Sequence, residues 1–309
     1  MPPGQWLRDA VFFAHDPVEA LEEVFLTIDV VGIHGISQQQ GGRNQLLVEW
    51  TPALHDGVER ADPDFAKPSL DLAYYGDLFP DLATSENLAI SEDLAISEDL
   101  DDDTLNFFLD IQEEVVDPDS VTDTVAASIG REMLPLARLA KLVAWLDRNF
   151  GVVGKILFFP SLREVRRYQR DEALANMVLD RVQRALNASP RVLIGYSLGS
   201  IVAYEALCLT PDHGVETLIT VGSPLGFDSI QRALREAARN QIPNLPPGVT
   251  RWINVYDVND PVAWGNPLQP TWENIRDHKV DNDDEPHSIT RYLGKRATGA
   301  AVLEGLATT

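Results

Sequence analysis

Residues 191–207 constrain the fold more than any other part of this chain. They begin with Val192-Leu193-Ile194, an apolar run that is typical of a strand buried on both faces. They end with residues 200–207, which contain no glycine or proline and carry apolar side chains over two helical turns. Residues 195–199, which read Gly-Tyr-Ser-Leu-Gly, lie between the two. The chain must therefore reverse sharply from strand to helix within five residues.

This turn predicts a serine at its top with an exposed hydroxyl. The pattern Gly-x-Ser-x-Gly uses its two glycines to remove side chains that would collide in so tight a turn. Ser197 then lies above the N-terminus of the following helix. The bare pattern is common by chance, but the strand before it and the helix after it indicate a nucleophile elbow with Ser197 as the nucleophile.

Strands and helices alternate along the rest of the chain with short connections. Strands are predicted at 24–33, 69–75, 191–194, 215–221 and 250–256, and helices at 44–59 (interrupted by Pro52), 104–116, 121–150, 163–186 and 230–240. This alternation predicts an α/β fold with a mostly parallel central sheet and helices on both faces. We assign residues 1–309 to a single domain.

Residues 77–150 form an acidic and helical insertion in this alternation. Within it, residues 85–100 hold a near-exact Ser-Glu-Asp-Leu-Ala-Ile repeat, which predicts a solvated acidic segment. No Ca²⁺-binding loop pattern accompanies these carboxylates. The apolar face of residues 121–150 indicates either a lid over an apolar pocket or a helix that covers the sheet.

Charge and composition exclude several classes of partner. The net charge is −23, from 48 acidic and 25 basic residues, which argues against nucleic acid and against docking on an anionic membrane. No apolar run approaches 18 residues and no signal-peptide pattern begins the sequence, so we expect no transmembrane segment and a cytoplasmic location. Cys208 is the single cysteine, which excludes an intramolecular disulfide and predicts a small buried apolar side chain.

The strand at 24–33 ends in a second candidate element, the loop that begins with His34 and Gly35. A substrate oxygen that gains negative charge needs backbone N–H donors aimed at it. We predict that Ile36, or Gly35 beside it, supplies one oxyanion-hole donor and that Leu198 supplies the second. The alternative is a plain strand-to-loop turn that needs Gly35 for its geometry, and the elbow downstream favours the functional interpretation.

A serine nucleophile needs a base, and the base needs a third group to orient it. On this type of sheet the chain order is serine, acid, histidine. His213 follows Ser197 too early to come after the acid, which leaves His278 and His287. We favour His287, since it lies in a polar loop that leads into a short helix. The alternative for His287 is a helix-capping or surface histidine.

Two carboxylates follow the strand at 250–256 and compete for the third position. Asp257 lies directly at the strand end, and the alternative to a catalytic role for it is to cap the turn. Asp260 is followed by Pro261, which stiffens the backbone and can hold the carboxylate towards a histidine, so we favour Asp260. The sequence has no His-Glu-x-x-His motif or comparable histidine cluster, so neither a metal nor a cofactor is expected.

Five pieces of the sequence resemble the α/β-hydrolase family, in particular its bacterial lipase- and esterase-like members. They are residues 32–37, 195–204, 222–226, 252–262 and 286–289, with residues 77–150 unmatched. The resemblance implies an α/β-hydrolase fold and a Ser197–Asp260–His287 catalytic triad that forms an acyl-enzyme. Tyr196 departs from the family, in which this position is often histidine, and the departure bears on the shape of the pocket.

The expected function is that of an esterase- or lipase-like serine hydrolase acting on a small-molecule or lipid acyl ester. Acyl transfer or thioester hydrolysis by the same triad is one alternative. A non-catalytic interaction module on the same fold is another. The sequence assigns no acyl chain, head group or oligomeric state.

Overall fold

A computed structural model describes residues 28–79, 101–116, 134–210, 212–237, 243–264, 267–269 and 272–307. Its strands are β1 (Val30–Ile33), β2 (Leu70–Ala73), β3 (Val192–Tyr196), β4 (Thr217–Val221), β5 (Arg251–Asp257) and β6 (Ile275–Val280). They form one sheet in the order β2-β1-β3-β4-β5-β6, and every neighbouring pair is parallel. The predicted α/β class with a parallel sheet is confirmed.

Helices connect these strands and cover both faces of the sheet. They are α1 (Arg43–Ala61), α2 (Asp102–Val115), α3 (Leu134–Arg170), α4 (Glu172–Leu186), α5 (Leu198–Leu209), α6 (Asp228–Ala237), α7 (Ile289–Leu293) and α8 (Arg296–Leu306), with single 3₁₀ turns at Gly76–Leu78 and Pro224–Gly226. In the described ranges, none of these helices combines the length and apolarity needed to cross a bilayer. The cytoplasmic location stays a prediction.

The apolar run of β3 is explained by a core on each side of the sheet. Val192 and Ile194 pack in one core with side chains of α1, α7 and α8. Leu193 points to the opposite face and packs in a second core with side chains of α2 to α6. Successive side chains of a strand alternate between faces, so a strand covered on both sides must be apolar throughout.

Helices α1 and α8 pack against each other at a pair of glycines. A Cβ atom on Gly299 would lie 1.9 Å from the carbonyl oxygen of Gly57, and one on Gly57 would lie 2.1 Å from the carbonyl oxygen of Leu293. Any side chain at these two positions would force the helices apart. We call this contact the α1–α8 seam.

The helices differ from the prediction in several places. Helix α3 continues beyond residue 150, with a kink at Gly151 (φ 65°, ψ −162°), so residues 152–162 are helical where no helix was predicted, and α8 was not predicted. Helix α1 continues through Pro52, where an interruption was predicted. The single helix predicted over 163–186 is two helices, because α3 ends at Arg170 and the Asp171 side chain accepts the N–H of Leu174 at 3.0 Å to begin α4. Asp171 is thus an N-cap in what was read as a helix interior.

Strand β6 was not predicted at all. It forms the edge of the sheet, and most of its side chains are polar, including Arg276, Asp277 and Lys279. The exposed side chains of β6, which are Arg276, His278 and Lys279, lie on both faces of the strand, so hydrophobic patterning does not reveal it.

Only parts of the predicted insertion lie within the described residues. The repeat at 85–100 and residues 117–133 are outside them. Helix α2 packs on α3 and α6, with Phe107, Phe108 and Ile111 in the core that faces the sheet. Whether any of this segment acts as a lid stays a prediction.

Cys208 on α5 is only partly buried, and burial raises the pKa of its thiol to about 11.

Candidate active site

The candidate site lies where the chain changes direction across the sheet. From β1 the chain passes to β2 on one side, and β3 later pairs with the other side of β1. In open α/β sheets a crevice forms beyond the carboxyl ends of the strands at such a point. The loop after β1 and the turn after β3 meet there, since a Cβ atom on Gly35 would lie 2.9 Å from the Cβ of Ser197.

Ser197 has the strained backbone of a sharp strand-to-helix turn. Its φ is 54° and its ψ is −127°, a backbone conformation that residues other than glycine rarely adopt. Its N–H donates to the carbonyl of Val221 in β4 at 3.1 Å, and its carbonyl accepts the hydroxyl of Ser200 at 2.6 Å. These bonds hold the turn in place despite the strain.

Both glycines of the turn are required by close backbone contacts. A Cβ atom on Gly195 would lie 2.6 Å from the Cα of Ser200. One on Gly199 would lie 2.2 Å from the carbonyl oxygen of Ile33 and 2.5 Å from that of His34. The first turn of α5 can therefore approach the end of β1 only because position 199 has no side chain.

The structure brings Ser197, His287 and Asp260 into hydrogen-bonding contact. Nε2 of His287 lies 3.1 Å from Oγ of Ser197, and Nδ1 lies 2.8 Å from Oδ2 of Asp260. Their exposed fractions are 1% for Ser197, 9% for His287 and 0% for Asp260, so the prediction of an exposed Ser197 hydroxyl is wrong and the serine is buried beside His287. An ionised carboxylate only accepts hydrogen bonds, so Nδ1 carries the proton and the neutral ring offers Nε2 as an acceptor to the serine hydroxyl.

Backbone contacts after β5 fix the Asp260 carboxylate. Its Oδ1 accepts the N–H of Val262 at 2.9 Å and that of Ala263 at 3.2 Å. N–H donors of this kind stabilise the ionised form of a carboxylate. They also leave Oδ2 directed at His287.

The competing residues have other partners. The Asp257 carboxylate is buried and accepts the backbone N–H groups of Asn259 and Asn282. His278 lies on the edge strand β6 with its side chain exposed. His213 is buried and bonds the carbonyl of Pro247 at 2.8 Å. The structure thus groups Asp260, not Asp257, and His287, not His278, with Ser197.

Two tyrosines that the sequence did not assign to the site also contact these residues. The Tyr196 hydroxyl donates to the backbone carbonyl of His287, and the Tyr292 hydroxyl donates to Oδ2 of Asp260 at 2.7 Å. Burial raises the pKa of both hydroxyls above the ordinary value, so both stay protonated donors. Tyr196 stood out only as a departure from the family pattern, and no sequence signal marked Tyr292.

The predicted oxyanion-hole donors lie beside Ser197. Leu198 is the first residue of α5, so its N–H has no acceptor within the helix. Gly35 packs against Ser197, and Ile36 follows it in the same loop. The helix N-terminus adds a positive electrostatic potential at this point. The roles of Gly35, Ile36 and Leu198 stay predictions.

A buried histidine supports this loop from below. Nδ1 of His34 donates to the carbonyl of Gly35 at 2.6 Å, and Nε2 accepts the N–H of Tyr75 at 3.0 Å. The ring also stacks on that of Tyr75, with centroids 4.0 Å apart. Burial lowers the pKa of His34 from its ordinary 6.5 to about 4, so the ring is neutral at physiological pH.

In the described ranges, no group of three or more His, Cys, Asp or Glu side chains is arranged to hold a metal ion. A groove between α2 and α6 is lined by several carboxylates, among them Asp110 and Glu114, and these two contact protein groups. The Glu114 side chain accepts the N–H groups of Asp228 and Ser229 at 2.8 Å and 2.7 Å, which caps α6, and Asp110 lies 3.6 Å from Arg232.

The arrangement can support nucleophilic chemistry. A serine hydroxyl in contact with a neutral imidazole nitrogen has a base within reach, and the buried carboxylate stabilises the imidazolium that forms.

Comparison of the chain with protein-family models, with curated proteins and with solved structures gave no match in any of the three.

Proposed function

We propose that this protein is a serine hydrolase of the α/β-hydrolase type that cleaves a carboxylic ester through an acyl-enzyme on Ser197. The observation that carries the proposal is the position of His287, 3.1 Å from Oγ of Ser197 and 2.8 Å from Oδ2 of Asp260. The three side chains follow β3, β5 and β6 and meet at the carboxyl edge of the sheet. Lipid esters are included among the candidate substrates.

In the first half of the reaction, Oγ of Ser197 attacks the ester carbonyl while Nε2 of His287 takes the hydroxyl proton. The C–O bond to the leaving group then breaks, and the imidazolium returns the proton to the departing alkoxide. The products of this half are the free alcohol and an ester between the acyl group and Ser197.

In the second half, Nε2 of His287 takes a proton from water as the water oxygen attacks the acyl-enzyme. The imidazolium then protonates Oγ of Ser197, and the carboxylic acid leaves. Asp260 keeps the imidazole in the required tautomer throughout. Oxyanion-hole donors in the loop after β1 and at Leu198 would stabilise both tetrahedral intermediates, and one such donor contributes about 10²–10³-fold in rate.

Labelling with a fluorophosphonate probe tests this proposal directly. We expect the folded protein to be labelled on Ser197, and we expect Ser197→Ala to abolish both labelling and hydrolysis of p-nitrophenyl esters. His287→Ala should abolish both as well, whereas His278→Ala should leave them intact, because His278 is exposed on β6.

Esters of graded acyl length then define the substrate class. Release of free acid in water identifies a hydrolase, and transfer of the acyl group to an added alcohol or thiol in preference to water would identify a transferase instead. A folded protein that resists the probe, or a Ser197→Ala variant with wild-type turnover, would exclude the mechanism.

A further inference from the structure

We propose that Tyr292 is a positioning residue that holds Asp260 in the orientation in which Asp260 binds His287. The inference rests on the proposed hydrolase function for its consequence, though its geometry stands alone. Tyr292 lies in α7, five residues after His287, and its side chain is fully buried.

The hydroxyl of Tyr292 and Nδ1 of His287 share one carboxylate oxygen. The hydroxyl lies 2.7 Å from Oδ2 of Asp260, and Nδ1 of His287 lies 2.8 Å from the same atom. The backbone N–H of Asp257 donates to the tyrosine oxygen at 3.1 Å. Since that N–H can only donate, it occupies a lone pair of the hydroxyl, and the hydroxyl proton is left to point at Oδ2.

The Asp260 carboxylate thus accepts four hydrogen bonds. Tyr292 is the one donor among them that a side-chain substitution can remove without changing the triad. Oδ1 is held by the backbone N–H groups of Val262 and Ala263, which no substitution of a side chain deletes. Oδ2 is held by His287 and Tyr292. Tyr292 therefore sets the orientation of the oxygen that faces the histidine.

A glycine closes this cluster from above. Gly222 follows β4 with φ +54°, and a Cβ atom there would lie 3.0 Å from Oδ2 of Asp260, 3.0 Å from Cε2 of Tyr292 and 3.2 Å from Nδ1 of His287. The three side chains therefore meet in a space that admits no further side chain. In such a low-dielectric setting a hydrogen bond to a carboxylate is stronger than in water.

This hydrogen bond has a definite electrostatic effect. A donor on Oδ2 takes up part of the negative charge of the carboxylate, while His287 binds the same oxygen. The titratable groups that face Asp260 are His287 and Tyr292, with Tyr196 and Asp257 as further electrostatic neighbours. When the tyrosine donor is removed, the charge on Oδ2 faces His287 alone, and we expect this to favour the imidazolium.

The test is Tyr292→Phe, which keeps the ring and removes the hydroxyl. We expect kcat for a p-nitrophenyl ester to fall about 10-fold with KM unchanged, because a less restrained Asp260 orients His287 less well in the transition state, and this loss outweighs the stronger attraction between the carboxylate and the imidazolium. We also expect the acidic limb of the kcat/KM profile to move to higher pH, because the imidazolium is favoured in the variant. Tyr204→Phe is the matched control, since that buried hydroxyl donates to the carbonyl of Pro243.

A second variant strengthens the hydrogen bond from residue 292 to Asp260 instead of removing it. 3-Fluorotyrosine introduced at position 292 is a stronger donor than tyrosine and should move the acidic limb to lower pH. This substitution changes one atom and preserves the packing, so it also serves if Tyr292→Phe does not fold. Wild-type kcat and an unmoved acidic limb in both variants would overturn the proposal. Equal losses in Tyr292→Phe and Tyr204→Phe without a shift of the limb would do so as well.

Proton NMR separates this proposal from the hydrolase proposal. We expect the Nδ1 proton of His287, which is hydrogen-bonded to Asp260, to give a downfield resonance, and its loss in His287→Ala would assign it. We expect Tyr292→Phe to move this resonance and Tyr204→Phe to leave it unchanged. This readout needs no turnover, so a protein that the fluorophosphonate probe does not label would refute the hydrolase proposal alone. An unmoved resonance in Tyr292→Phe would refute the role of Tyr292.

Discussion

The Tyr196 hydroxyl donates a hydrogen bond to the backbone carbonyl of His287, and the two rings lie with their centroids 5.0 Å apart. The residue before the candidate nucleophile thus holds the candidate base. On its other side, Tyr196 meets the edge of Trp50 in α1, with centroids 6.3 Å apart. One side chain therefore connects the turn after β3, the loop that carries the histidine and a helix that covers the sheet.

We predict that Tyr196→Phe lowers both stability and activity without abolishing either. The ring keeps its packing, but the buried carbonyl of His287 loses its donor, which costs about 1–3 kcal/mol. A less restrained His287 should reduce kcat about 10-fold, since small displacements of a catalytic group are costly in rate. Urea denaturation and steady-state kinetics measure the two effects. An unchanged free energy of unfolding together with an unchanged kcat would show that the Tyr196 hydroxyl does not restrain His287.

Paired carboxylate variants separate Asp260 from Asp257. In Asp260→Asn an amide can donate to Nδ1 of His287, which moves the ring proton to Nε2 and removes the acceptor for Ser197, so we expect kcat to fall about 10⁴-fold. Asp257→Asn should reduce stability, because the carboxylate accepts two backbone N–H groups, with kcat within about 3-fold of wild type. The reverse pattern would make Asp257 the acid.

Substitution of Gly199 tests the close contact between α5 and β1. In Gly199→Ala the new methyl group would lie 2.2 Å from the carbonyl oxygen of Ile33, so the start of α5 must shift. We expect a loss of about 1–3 kcal/mol in the free energy of unfolding, as for overpacked cores, and a large loss of esterase activity. Gly41→Ala is the matched control, because its methyl group would meet its nearest neighbour, Gln45, at 3.6 Å. Equal effects in the two variants would contradict the packing argument.

His34 makes the stability depend on pH in a defined window. Its pKa is about 4 in the folded protein and 6.5 in the unfolded chain, so between these values the unfolded chain binds the extra proton. The contribution is complete above pH 6.5 and is lost as the pH falls towards 4, by about 3 kcal/mol in total. His34→Gln offers a donor and an acceptor without titrating, so its stability should fall less steeply over this window. Parallel slopes by urea denaturation would contradict this assignment.

The sheet was largely predictable because its central strands are buried on both faces. A strand such as Val192–Tyr196 must be apolar at every position, and this leaves a signal in the sequence. Strand β6 left none, because the polar side chains of an edge strand resemble those of a loop. The break at Asp171 was missed although Asp is a preferred N-cap residue, because the residues on both sides of it are helical and only one residue separates the two helices.

At the site, the turn pattern singled out Ser197, and chain order reduced the candidates for the base and for the acid to two residues each. Pro261 favoured Asp260 and the polar loop favoured His287, and the structure brings both into hydrogen-bonding contact with each other and His287 into contact with Ser197. The choice between Asp257 and Asp260 depends on the orientation of the carboxylate, which backbone N–H groups two and three residues after Asp260 fix. Tyr292 could not be found, because its contact with Asp260 arises from the packing of α7 under the sheet edge and from no local pattern.

The α1–α8 seam couples the integrity of the candidate site to the folding of the core that α1 and α8 cover. His287 lies in the segment that leads through α7 into α8, and α1 packs against both helices, most closely at Gly57 and Gly299. Detachment of this segment would therefore have to part α8 from α1 and open the core that they cover. Local fraying cannot release the histidine by itself. Heat inactivation and cooperative unfolding should then be one event, observed at a single temperature.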